Sequence, residues 1–266
     1  MIEVMNAAKD DAIRAAAASL VQAFETGEPI EPLRDSIPDM TLDDAYQVQV
    51  LLQAELTKTR GAVVGRKIGL TSRAMQQQLG VDSPDFGFLT ESMIHWNDST
   101  VPAAEFISPK IEPEFAFKLN KDLSGPGVTA EQAIDAIESV HAAIEIIDSR
   151  VKDWNIRLVD TVSDNASCGA VVIGSEPLAV SAGNLKPVPC TLLIDGENKG
   201  SGTGADVLGD PIEPMVWLAN ILGERGVGLQ AGDIVIPGSF TAAAPVEAGS
   251  TATADFGDLG KISVTF

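Results

Sequence analysis

Lys110-Ile-Glu-Pro-Glu-Phe-Ala-Phe-Lys-Leu119 alternates with the period of a β-strand. Glu112, Glu114 and Ala116 fall on one side, and Ile111, Pro113, Phe115 and Phe117 on the other. Two carboxylates on one face of an otherwise apolar strand repel each other and lose hydration. A third carboxylate, Glu145, sits in a second apolar run, Ala143-Ile-Glu-Ile-Ile147. Two readings stand at this point. One is a solvated edge strand with outward glutamates; the other is an oxygen-ligand site for a hard divalent ion, Mg²⁺ or Mn²⁺.

The chain around this strand has 266 residues, 45% of them hydrophobic, enough for one large domain with or without a helical appendage. Its 38 acidic and 18 basic residues leave a net charge of −20, which disfavours nucleic acid and anionic membrane surfaces as partners. An anionic substrate then needs a local positive centre, from a metal or a buried lysine. The apolar runs are too short to span a bilayer, so a cytoplasmic protein is expected, with Cys168 and Cys190 as reduced, buried thiols.

Towards the N-terminus, Ile13, Ala16, Ala17, Leu20, Val21 and Phe24 recur at helical spacing and Gly27 ends the run. A second helix is expected from Thr41, with Asp44 as its capping partner, to Arg60-Gly61. Residues 1–62 therefore read as a helical N-terminal region, and 63–266 as a β-rich core. A further capping box, Thr129-Ala-Glu-Gln132, predicts a helix to about Ala142 that breaks into strand near Ala143. Residues 213–224 predict a helix, and the last third is otherwise strands, with a hairpin turn at Asp195-Gly196. The Gly200–Gly204 run fits neither a dinucleotide fingerprint nor a P-loop and reads as a bend.

Several polar residues stand out. Lys67 lies inside the strand-like run Val63–Ser72, either as a snorkelling surface lysine or as a cation facing an anionic ligand. A short helix is expected over Ser72–Leu79. Asp85 sits in Pro84-Asp-Phe-Gly87, read as a turn, and is either a turn former or a catalytic carboxylate. Asp160–Gly169 gathers two acids, an Asn and three hydroxyls beside an apolar strand, as a site wall or a plain loop. His141 reads as structural, and His95 as a polar-loop residue without a role.

Taken together, Gly65-Arg-Lys-Ile-Gly-Leu-Thr-Ser72, Pro84-Asp-Phe-Gly-Phe-Leu89, Glu112-Pro-Glu114, Glu145-Ile-Ile-Asp-Ser-Arg150 and Asp160-Thr-Val-Ser-Asp-Asn-Ala-Ser167 resemble, in the same order, the hydratase/decarboxylase family of aromatic meta-cleavage pathways. That family lies within the fumarylacetoacetate hydrolase superfamily. The resemblance runs over nearly the whole chain. It implies an α+β fold, with a mixed β-roll or sandwich core and the helical N-terminal region. It also implies a divalent metal, Mg²⁺ or Mn²⁺, on Glu112, Glu114 and Glu145, with Lys67 and Asp85 as catalytic residues. The same motifs put Leu70, Ser72, Asp160, Asn165 and Ser239 at the substrate.

Within the family, the decarboxylase branch carries an apolar residue in place of this Asp and Gly-Gly in place of Gly238-Ser239. The chain keeps Asp85 and Ser239. Hydratases of dicarboxylate dienols tend to carry Arg where Ala242 follows Thr241. The resemblance thus implies hydration of 2-hydroxypenta-2,4-dienoate to 4-hydroxy-2-oxopentanoate. The alternatives are 4-oxalocrotonate decarboxylation, hydration of 2-oxohept-3-ene-1,7-dioate, and a non-catalytic, metal-stabilised small-acid binder. It implies a homo-oligomer as well, with association with the downstream aldolase as a further possible partnership.

Overall fold

Both capping boxes open helices where the sequence places them. The Thr41 side chain accepts the Asp44 N–H while Asp44 accepts the Thr41 N–H, and Thr129 and Gln132 repeat the exchange. The computed structural model describes residues 2–72, 76–77 and 80–266. Its helices are α1 (Ile2–Thr26), α2 (Leu42–Arg60), α3 (Ala130–Ala136), α4 (Leu158–Ser163) and α5 (Ile212–Glu224). The strands are β1 (Val63–Gly69), β2 (Asp85–Thr90), β3 (Ile94–Trp96), β4 (Lys110–Leu119), β5 (Ile137–Ile147), β6 (Cys168–Ile173), β7 (Pro189–Ile194), β8 (Glu197–Thr203), β9 (Ile234–Ile236), β10 (Ala244–Pro245), β11 (Thr251–Asp255) and β12 (Lys261–Thr265).

The strands form two sheets. The larger has eight strands in the order β2-β1-β9-β4-β5-β6-β3, with β10 on β4; the smaller runs β12-β11-β7-β8. Pairing in the large sheet is mixed, parallel at β1–β9 and β3–β6 and antiparallel elsewhere. The apolar face of β4 decides how the sheets meet. Phe115 stacks against Phe256 at 5.7 Å between ring centroids and meets Phe240 edge-on at 4.8 Å. The inner residues of the small sheet, Ala252, Ala254, Ile262 and Val264, and the buried face of α5 complete this core. α1 and α2 pack on each other through Ala17, Leu20, Val48 and Leu52, and the same cluster takes in Phe88 of β2. The opposite face of β4 looks onto a smaller apolar cluster that includes Ala116, Ala143, Val171 and Ile236.

Four local expectations are corrected. The helix from Thr129 ends at Ala136, and β5 begins at Ile137. Pairing with β4, from Leu119↔Ile137 to Lys110↔Ile147, overrides helical spacing there. The Pro84–Gly87 turn is the entry to β2, drawn straight by pairing of Asp85 with Gly69 and Gly87 with Lys67. Gly200–Gly204 is mostly β8, where glycines meet β7 at Leu192 and Cys190. His95 lies in β3, paired parallel with Val172. The helix expected over Ser72–Leu79 falls largely outside the described residues; Gln76 and Gln77 are helical. His141 is on β5 and bonds Ser139 and the Gly174 carbonyl, a structural place. Both cysteines are free and buried.

Candidate active site

The register of the large sheet converts spacing along the chain into one constellation. Glu112 lies directly across from Glu145, and Glu114 is two residues on, on the same face of β4. Carboxylate oxygens of the three lie within 4.8 Å of one another. Lys67, on β1, donates to the Ala166 carbonyl at 2.8 Å and stands 3.4 Å from Glu145 Oε1. Asp85 enters from β2. A side chain at Gly69 would put its Cβ 2.3 Å from Asp85 Oδ1 and 3.1 Å from Lys67 Nζ, so glycine there is what lets the pair approach the backbone.

The electrostatics are unfavourable as they stand. Lys67, Asp85, Glu114 and Glu145 are buried and Glu112 is half-buried. Neither oxygen of Glu145, nor Asp85 Oδ1, has a hydrogen-bond donor. Glu114 is better served, since Gly238 N–H donates to its Oε2 at 2.7 Å. Burial, then the charges of Glu145 and Glu112, push Glu114 well above the usual carboxylate range. Burial and Glu145 push Glu112 up to about 7. Asp85 is raised by burial, with Lys67 opposing. Burial lowers the affinity of Lys67 for its proton, but Glu145 and Asp85 more than offset this and hold the ammonium. Three carboxylates gathered within 4.8 Å, with both Glu145 oxygens lacking donors, fit the donor set of a hard divalent cation, whose charge would offset their mutual repulsion.

A family model for the fumarylacetoacetate (FAA) hydrolase C-terminal region matches residues 62–266. The chain belongs to the fumarylacetoacetate hydrolase family. Among its relatives, the 2-keto-4-pentenoate hydratase of Burkholderia vietnamiensis is 43% identical over 258 residues, covering 97% of this chain and 98% of that one. The 2-keto-4-pentenoate hydratase of Paraburkholderia xenovorans is 41% identical over 251 residues, covering 94% and 93%. The solved 4-oxalocrotonate decarboxylase from Pseudomonas putida G7, complexed with magnesium and adipate, superposes with a TM-score of 0.91 at 33% identity, covering 97% of this chain and 98% of that one. The mixed sheets with a helical N-terminal region are thus the fumarylacetoacetate hydrolase fold.

All ten residues singled out from the sequence lie inside the segment matched by the family model, but the structure treats them differently. Lys67, Asp85, Glu112, Glu114 and Glu145 are brought together. Leu70 follows β1 directly in a left-handed conformation (φ 57°), and its carbonyl accepts from Gln76. Ser72 is half-buried two residues beyond. Ser239 bridges the Glu114 backbone, and its hydroxyl donates to the Pro113 carbonyl. Asp160 is turned elsewhere: Arg34 binds its carboxylate through both guanidinium and backbone N–H, and Arg157 N–H adds a third donor. The side-chain amide of Asn165 is engaged with the backbone of Phe88. Sequence reasoning missed the backbone contributors, the Ala166 carbonyl and the Gly238 N–H, because no side chain marks them. A cavity of about 790 Å³ lies away from the carboxylates. It lies among Tyr46, Val50, Arg66, Phe86, Arg225 and Val227; Arg66 and Phe86 alternate with Lys67 and Asp85, on the other side of β1 and β2.

Proposed function

We propose that the chain is a divalent-metal-dependent hydro-lyase of aromatic catabolism. It converts 2-hydroxypenta-2,4-dienoate and water to 4-hydroxy-2-oxopentanoate. The observation that carries this reading is the meeting, in one space, of three glutamates, with both Glu145 oxygens lacking donors, and the buried Lys67 and Asp85. The hydratase relatives and their coverage of nearly the full chain support the choice of reaction.

Glu112, Glu114 and Glu145 would hold the cation, Mg²⁺ or Mn²⁺; magnesium in the decarboxylase neighbour supports that ion class. When bound, it supplies a Lewis acid for the C1 carboxylate and C2 oxygen of a 2-oxo acid. The chain's own groups then handle protons. The dienol loses its 2-hydroxyl proton and gains one at C5, giving 2-oxopent-3-enoate; water then adds its hydroxyl at C4 and a proton at C3. Lys67, held as an ammonium by Glu145 and Asp85, is placed to donate and to stabilise negative charge on the substrate oxygens. Asp85, whose carboxyl burial raises above the ordinary aspartate value, is the candidate to take and return a proton. Leu70, Ser72 and Ser239, on loops that follow β1 and β9, are the remaining candidates for substrate contacts.

A second reading, decarboxylation of 4-oxalocrotonate, is favoured by the superposition on the decarboxylase. It would use the same residues. The test is turnover of freshly made dienol, followed as loss of its ultraviolet absorbance with and without EDTA, with product identification. EDTA-sensitive formation of 4-hydroxy-2-oxopentanoate is expected. Carbon dioxide release from 4-oxalocrotonate at a matching or faster rate overturns the choice of branch.

We also read the protein as a cytoplasmic homo-oligomer. Support comes from Val50, 64% exposed, and Val227, both lining the large cavity beside α2, and from the finding that no helix among the described residues is long and apolar enough to cross a membrane. A monomeric mass by light scattering would contradict it. Association with a downstream aldolase is retained from the family resemblance alone.

A further inference from the structure

Asn165, Ala166 and Ser167 have φ of 55°, 50° and 56°, three consecutive non-glycine residues in the left-handed region. L side chains rarely adopt this conformation even singly, so a run of three persists only where its surroundings hold it. All three residues are buried. Asn165 Oδ1 accepts the Phe88 N–H at 2.7 Å, and its Nδ2 donates to the Phe88 carbonyl at 2.9 Å, so one side chain grips both backbone groups of a β2 residue. The Ser167 carbonyl accepts the Asp148 N–H at 2.8 Å, and its hydroxyl meets Thr161 Oγ1 at 3.0 Å. Between these two anchors, the Ala166 carbonyl is aimed at Lys67 Nζ, 2.8 Å away. Gly87, the cross-strand partner of Lys67, leaves the room: a Cβ there would sit 2.5 Å from the Asn165 carbonyl oxygen.

We propose that this left-handed turn is a positioning device for Lys67, and that Asn165 is its positioning residue. The clamp on Phe88 keeps residues 165–167 left-handed, and only then does the Ala166 carbonyl face Nζ. With that acceptor in place, the ammonium is shared among a neutral carbonyl, Glu145 and the Asp85 side of the site. Without it, the nearest partner is the Glu145 carboxylate, 3.4 Å away and short of donors, and the ammonium moves onto it. Asn165 therefore acts through Lys67 and not by touching substrate. The effect on turnover rests on the hydratase reading; the effect on Lys67 does not.

The test uses the full-length, metal-loaded protein and reads both. In Asn165→Ala, kcat on the dienol should fall about thirtyfold or more, with KM within threefold. The ¹⁵N-resolved Lys67 ammonium should lose its protection from solvent exchange. Adding Ala166→Gly should recover at least a third of the lost activity, on a logarithmic scale, and most of the exchange protection, because glycine takes the left-handed conformation without a clamp. A merely stabilising role for Asn165 predicts a lower Tm with kcat and Lys67 exchange unmoved at temperatures where the variant is folded; that result overturns the proposal. So does a double variant with no recovery. If Asn165→Ala does not fold, Asn165→Ser, which retains a single donor for the Phe88 carbonyl, replaces it. Intermediate losses in kcat and protection are then expected, and wild-type values for both refute the idea. If no dienol is turned over at all, the hydratase reading fails while Lys67 exchange still decides the positioning.

Discussion

The two faces of β4 are made by alternate residues of one ten-residue strand, yet they obey opposite energetics. Phe115 and Phe117 belong to the main apolar cluster, and Phe115 packs against Phe117, Phe240 and Phe256. Glu112 and Glu114 face a space where Glu145 adds a third carboxylate and donors are too few. The aromatic face contributes stability through burial, with each large side chain worth about 1.5–3 kcal/mol. The carboxylate face opposes folding in proportion to the charge it carries. The difference teaches that burial of one side of the strand can hold a carboxylate cluster on the other side that repels itself.

The comparison breaks most sharply at the acidic face. Glu112→Gln should abolish measurable turnover while leaving far-UV circular dichroism and Tm of the metal-free protein unchanged or slightly raised. A neutral amide is a poorer ligand for a hard cation and carries no charge to repel Glu145. Full activity in metal-stripped buffer would remove the carboxylates from the reaction. Next, Asp85→Asn should lower kcat by about 10²–10⁴ with KM nearly constant, the signature of a proton carrier acting in the transition state; steady-state kinetics decides. On the aromatic face the expected effect is on folding. Phe115→Ala should cost ~3–5 kcal/mol of unfolding free energy by urea titration, and what folds should still bind metal. A loss below about 1 kcal/mol would mean the aromatic cluster does not carry the strand.

The smallest effect sharpens the comparison through pH. In the metal-free protein Glu112 is raised to about 7, against an ordinary value of 4.5. A carboxyl raised in the folded state contributes nothing at low pH, where it is protonated folded and unfolded alike. Between its ordinary value and about 7 the unfolded chain ionises first, so stability is lost as pH rises. The metal-free protein should therefore be less stable at pH 8 than at pH 5, by on the order of 1 kcal/mol, and saturating Mg²⁺ should abolish the difference. Metal binding near pH 6 should release a proton, seen by calorimetry in buffers of different ionisation enthalpy. A flat profile without metal would contradict the raised carboxyl.

Much of this was legible in the chain. The capping boxes at Thr41 and Thr129 declare helix starts because a hydroxyl and an acid or amide three residues apart satisfy each other's backbone N–H. The alternation of β4 separates Glu112 and Glu114 from the phenylalanines by arithmetic of period two. Where helix α3 stops was not legible. Ile137-Glu-Ser-Val-His141 has acceptable helical spacing, and only the ladder with β4 pulls it into strand. The strand at Asp85 was hidden for the same reason, since Pro84 and Gly87 mark a turn until β1 supplies a partner.

By itself the sequence determined which chemistries the protein can hold. Asp85, Glu112, Glu114 and Glu145 stand in apolar runs and Lys67 in a strand-like one, where a buried charge survives only with a partner, and their motifs match one family. It also determined the two-faced character of β4, because side-chain direction in a strand follows from covalent geometry. Which of the polar candidates face one another was decided only by tertiary structure. Asp160 and Asn165 occupy the same rich segment, yet one is bound to Arg34 and the other to Phe88, residues 126 and 77 positions away. Such partners are set by sheet register and by left-handed backbone at Asn165–Ser167, properties of distant segments meeting in space that no local pattern encodes.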